Sequence, residues 1–183
     1  MRTSRKVEKG RIMEYQIDTR NHETYEVRVG LNNQEVACFR KANFFIYNLR
    51  GEVDGADYQM KLPAPWTGFR YRLRRGRFEL ASARKHGRMH AFDPDRPLIR
   101  HHLVEFELEL HGRALVLTPE DRHGLSYVLR ENEDQRGRLV MRTFEAQRDG
   151  DWEADLEVPD DWSVPLAGFG AWLAREGRSG VES

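Results

Sequence analysis

The chain has 183 residues, 39% of them hydrophobic and 33% charged, and its 30 lysines and arginines balance 30 aspartates and glutamates. That length suits one domain around a single core, and the lack of a basic excess speaks against a nucleic-acid binder. A single cysteine rules out an intrachain disulfide, and no apolar run reaches the ~20 residues that a membrane-spanning helix needs.

Residues 1–10 read as a flexible basic lead-in. No apolar segment follows Met1-Arg2-Thr3-Ser4-Arg5-Lys6, so no secretory signal is expected, and a cytoplasmic location, peripheral at a membrane in one reading, is predicted. From Arg11 onward short stretches alternate apolar and polar residues between turn residues. Candidate strands are 11–18, 24–31, 34–41, 43–50, 57–62, 69–75, 77–84, 103–111, 113–118, 126–131, 138–146 and 152–158. Cys38, in Val36-Ala37-Cys38-Phe39, reads as a buried structural thiol. The alternation is plainest in Phe69-Arg70-Tyr71-Arg72-Leu73-Arg74 and in Val104-Glu105-Phe106-Glu107-Leu108-Glu109-Leu110, where a period of two puts arginines or glutamates on one face.

Three hairpins are expected at Arg75-Gly76-Arg77, His111-Gly112-Arg113 and Arg136-Gly137-Arg138, each with glycine supplying the positive φ of a tight turn. Short connections of this kind favour a meander in which sequence neighbours pair. Residues 85–102, which hold His86, His90, Pro94 and Pro97, read as a long surface loop, a common place for function.

The last structured stretch departs from period two. Val164 to Ala174 contains no charge, and Leu166, Phe169, Trp172 and Leu173 fall at helical spacing. Ser163 is the expected N-cap, and Pro165 falls in the first turn, where proline is tolerated. A helix apolar all round is buried all round. About twelve strands close into a barrel wider than its own side chains fill, so this helix, roughly 16 Å long, is the expected plug. A lid across one end stays open as the alternative. The predicted fold is therefore all-β: an antiparallel meander barrel over residues 11–175, with the apolar C-terminal helix threaded through it and a polar tail at 176–183.

A twelve-strand meander closed by the ending Val158-Pro159 … Val164-Pro165-Leu166 … Phe169 … Trp172-Leu173 resembles the tubby-like barrel fold of tubby proteins, phospholipid scramblases and LURP-one-related proteins. The resemblance lies in the pattern across residues 11–175 and not in identities. It implies binding of phosphoinositide headgroups by outward basic residues.

Arg70, Arg72 and Arg74 form one outward row, extended by Arg77, and are the candidate ligand-binding residues, because guanidinium groups on a rigid face bind phosphate through paired donors. The competing reading joins them to Glu105, Glu107 and Glu109 in an ion-pair network across outward Ala81 and Ala83. Six of the seven histidines lie between 86 and 123, without the pattern of a metal site. Asp121, His123 and Ser126 sit in one turn and do not make a triad. Trp66, Trp152, Trp162 and Trp172 read as core or rim residues, with Trp66 placed to line a mouth. No catalytic residue, metal or cofactor is predicted.

The expected function is a non-enzymatic binding module for an anionic lipid headgroup or a protein partner, with the oligomeric state left open. Two alternatives stand beside it. One is a lipocalin-like barrel with a small apolar ligand in its lumen; the other is a structural or interaction protein that docks through 85–102 or a sheet edge.

Overall fold

The computed structural model describes residues 11–20, 26–41, 48–64, 69–92, 100–121, 125–143 and 152–178. Twelve strands precede one helix: β1 (Ile12–Arg20), β2 (Glu26–Leu31), β3 (Gln34–Lys41), β4 (Leu49–Val53), β5 (Ala56–Lys61), β6 (Arg70–Arg75), β7 (Phe78–Phe92), β8 (Arg100–Leu110), β9 (Arg113–Pro119), β10 (Ser126–Glu131), β11 (Asp134–Thr143), β12 (Trp152–Pro159) and α1 (Val164–Arg178). Every strand pairs antiparallel with its neighbours in sequence, and β1 pairs with β12 from Ile12↔Pro159 to Thr19↔Trp152, closing the barrel.

Because successive strands reverse direction, the connections sort by length. Two-residue turns at 32–33, 54–55, 76–77, 111–112 and 132–133 all lie at one end. The five- to eight-residue connections, 21–25, 42–48, 62–69, 93–99, 120–125 and 144–151, all join strands at the other end. The tight turns need left-handed backbone, which Asn32, Asn33, Asp54, Gly55, Gly76, Gly112 and Asn132 supply.

The helix enters from the turn end and lies inside the barrel. It packs foremost against β8 and β2, which stand six places apart in a ring of twelve and therefore face each other across the interior. Phe169, Ala171, Trp172, Leu173 and Ala174 have no solvent exposure. Trp172 meets Tyr71 edge-on at 5.6 Å and Phe169 at 6.0 Å. A side chain at Gly168 would come within 2.8 Å of the Phe39 ring, and one at Gly177 within 2.8 Å of the Tyr127 hydroxyl, so these glycines let the wall reach the helix backbone. The Ser163 carbonyl accepts the Ala167 N–H at 3.0 Å, which marks Ser163 as the flanking residue, and Pro165 sits in the first turn. The helix runs on to Arg178, through residues expected in the tail. No described helix is long and apolar enough to cross a membrane.

Several expectations are corrected. Residues 85–102 are not one loop. β7 continues to Phe92 and β8 starts at Arg100, so the two form a long ribbon with an irregularity between Gly87 and His90. Pairing of β7 with β6 ends at Arg84, and pairing of β8 with β9 ends at Phe106. Beyond these points no third strand pairs with the ribbon among the described residues, although Val104 still reaches the core and Glu105 accepts from the Thr118 hydroxyl at 3.0 Å. Gly137 is not a turn residue. It lies within β11 opposite Leu129, and Asn132-Glu133 makes the turn; a side chain at Gly137 would run into the Glu157 carbonyl. The fourth strand is described over Leu49–Val53, three residues past its expected end at 50, and residues 43–47 of the expected strand lie outside the described residues. Asn48 accepts the Leu62 N–H at 2.9 Å just before it, and Gly51 leaves room for the Phe39 ring within it.

Candidate functional site

With the helix filling the interior, the chemistry-bearing side chains stand on the outer face. Strand alternation puts Arg40 of β3, Arg50 of β4, Lys61 of β5 and Arg70, Arg72 and Arg74 of β6 there. The register sets Arg40 opposite Arg50, Lys61 opposite Arg72, and Arg74 opposite Gln59. Lys61 is half-buried and makes no ion pair with a carboxylate among the described residues. Burial, together with crowding by Arg74, Arg72 and Arg50, holds its ammonium below the ordinary lysine range. The Nε–H groups of Arg72 and Arg74 are shielded from solvent and have no acceptor. The cluster is thus a set of cations drawn together without enough anions to match.

The four predicted residues fare differently. Arg72 and Arg74 belong to this cluster; Arg72 reaches Glu79 only at 3.8 Å, and Arg74 donates from Nη2 to the Arg77 carbonyl at 2.7 Å. Arg70 turns away to Glu109 at 3.2 Å. Arg77 lies exposed in the turn, and what it brings to the row is its carbonyl. The Arg70–Glu109 pair does cross the intervening strand, as the network reading expects, but not over alanines. Ala81 and Ala83 face the core at 3% and 1% exposure, opposite Leu73 and Tyr71, and the outward residue between the pair is Ser82. An irregularity at Leu73/Arg74 resets the phase of β7.

Sequence reasoning missed Lys61, Arg50 and Arg40. Each strand contributes one or two cations, unremarkable alone, and only the pairing order gathers them. The same order sorts charge over the whole barrel. Strands β4–β6 carry six basic and two acidic residues, whereas β12 and β1 carry five acidic and one basic. β6 and β12 are six places apart in the ring, so the neutral chain has a basic flank and an acidic flank on opposite sides.

Beside the cluster, Glu26 is 3% exposed and its carboxylate is held on both oxygens. Arg28 donates to Oε1 from Nε at 2.9 Å and Nη2 at 2.6 Å, and Arg40 donates to Oε2 at 3.1 Å. Burial pushes the carboxyl up, but the two arginines outweigh it and the net shift is downward. Cys38 faces outward, half-buried, with Sγ 3.7 Å from Glu26, and is not in the apolar core where its sequence neighbours suggest; burial pushes its thiol up. At the turn end, Arg113 grips Glu131 with Nε at 2.7 Å and Nη2 at 2.9 Å, and also bonds Asp161 just before the helix.

Phe69 precedes this row of arginines. It is 65% exposed with φ 55°, and its N–H donates to the Ala64 carbonyl at 3.2 Å. An aromatic residue in left-handed backbone costs roughly 1–2 kcal/mol, so the chain holds Phe69 in a backbone conformation against its own preference.

Other candidates stay apart. His86 meets Glu107 at 2.9 Å, and no cluster of three potential metal ligands occurs among the described residues. His90, His101 and His102 lie on the ribbon; His22 and His123 lie outside the described residues. Asp121 accepts the Leu125 N–H and both the N–H and hydroxyl of Ser126, which is turn capping. Trp162 and Trp172 are core residues, and Trp66 lies outside the described residues. Compared with protein-family models, curated proteins and solved structures, the chain finds no match.

Proposed function

We propose that this protein is a non-enzymatic binding module that takes a phosphate-bearing, phosphoinositide-like headgroup on the outer face of β4–β6. The observation that carries this reading is Lys61 among Arg50, Arg72 and Arg74, without a carboxylate of its own. A phosphate placed there would accept from several donors at once and relieve their mutual repulsion. The tubby-like resemblance of the sequence leads to the same class of ligand. The lumen reading is disfavoured because Phe169, Trp172 and Leu173 occupy the interior without solvent exposure. A protein partner docked through the ribbon at 85–102 is the competing outcome.

Flotation on phosphatidylcholine vesicles with and without a phosphoinositide tests the proposal. Recovery should rise with the phosphoinositide and fall to the background level in a Lys61→Glu, Arg72→Glu double variant. Equal recovery on both vesicle types would overturn it.

A further inference from the structure

We propose that Phe69 is a membrane wedge: its ring enters the apolar boundary of an anionic bilayer while the neighbouring cations hold the headgroups. This rests on the headgroup reading above and narrows it to a ligand presented in a membrane. Four observations combine. Phe69 is exposed by 65% although it is a large apolar residue. It is held there in strained left-handed backbone at φ 55°, and strain of that kind persists only where surrounding structure imposes it. It is the residue directly before Arg70 and three before Arg72, so about 10 Å of strand separates it from the cluster. Finally, its N–H donates to the Ala64 carbonyl at 3.2 Å, three residues beyond Lys61, which ties the start of β6 to the chain leaving β5.

The charge on this flank chooses the occupant. An apolar partner groove would not need Arg50, Lys61, Arg72 and Arg74 on the same flank as the aromatic anchor, whereas a bilayer with anionic headgroups offers both an apolar layer and negative charge at one surface. Interfacial binding of this kind adds buried apolar area to electrostatic attraction, and each basic residue near such a surface gains from its negative potential.

The strain gives the test two readouts that move in opposite directions. Glycine accepts positive φ without cost, so Phe69→Gly should melt higher than the wild type. The same variant should bind phosphoinositide-containing vesicles about tenfold more weakly, the scale expected for withdrawing one aromatic ring from an apolar phase. Its binding of soluble inositol hexakisphosphate, measured by titration calorimetry, should be unchanged. Phe69→Trp should retain vesicle binding.

Vesicle binding by Phe69→Gly equal to that of the wild type would overturn the wedge while leaving the headgroup reading intact. So would a wild type that binds inositol hexakisphosphate but not vesicles. A fall in both affinities together would make Phe69 part of the headgroup pocket and overturn its role as a wedge. If the wild type binds neither ligand, the headgroup reading fails and the wedge with it.

Discussion

The inner and outer surfaces of this barrel are two faces of the same residues' alternation, yet they follow different rules. Inside, the sheet and α1 solve a problem of volume. Glycines stand where Phe39 and Tyr127 press inward, and Trp172 fills the space beside Tyr71. Outside, the residues solve a problem of charge, with cations gathered on β4–β6 and carboxylates on β12 and β1. Substitutions on the two faces should therefore appear in different measurements: stability for the inner face, binding for the outer.

The largest expected effect is at the centre. Trp172→Ala removes a fully buried ring and should cost about 3–5 kcal/mol, read as a shift in the denaturant midpoint. Next comes Glu26, the outer-face group that is both charged and buried among the described residues. Glu26→Gln takes a carboxylate from Arg28 and Arg40 and should cost about 1.5–3 kcal/mol.

That site also sets a pH dependence. Their arginine partners hold the folded Glu26 and Glu131 carboxyls below the ordinary glutamate value. Their contribution is complete above that value and is lost as pH falls through the lower folded values. Urea unfolding followed from pH 6 to pH 3 should show this loss in the wild type and a shallower one in Glu26→Gln. An unchanged slope would break the distinction drawn for this residue. The smallest effect on stability, within about 0.5 kcal/mol, belongs to Arg72→Glu, which should instead weaken vesicle binding and its salt dependence. A large fall in melting temperature there would place Arg72 with the structural residues.

How much of this could be read from the sequence follows from the same division. The inner face was legible because it is local. The strand from Gln34 to Lys41 and the strand from Ser126 to Glu131 match their expected bounds, since alternation and turn residues mark both ends. The uncharged run after Ser163 led to a filled barrel because no other surface was large enough to bury it. The ribbon of β7 and β8 was misread for a complementary reason. Beyond Arg84 on β7 and before Val104 on β8 no third strand pairs with the ribbon among the described residues, so nothing there demands the alternation that Val104 and Phe106 still show. The candidate site was half legible. Arg72 and Arg74 share a strand and announce themselves, while Arg50 and Lys61 become their neighbours only through pairings such as Lys61↔Arg72. Phe69 was invisible as a special residue, because its period-two neighbours assign it to a strand face and its positive φ has no signal in composition.

The position of α1 bears on how the molecule is made. The helix follows all twelve strands in the chain, yet it occupies the axis around which they close. During synthesis the wall is therefore complete before its filling emerges. The seam between β1 and β12 joins residues 133 to 147 positions apart, from Thr19↔Trp152 to Ile12↔Pro159, and pairings of such long range form slowly. The fifteen helical residues that fill the axis come last, so a chain cut short of Val164 would hold every strand of the wall with nothing to wrap.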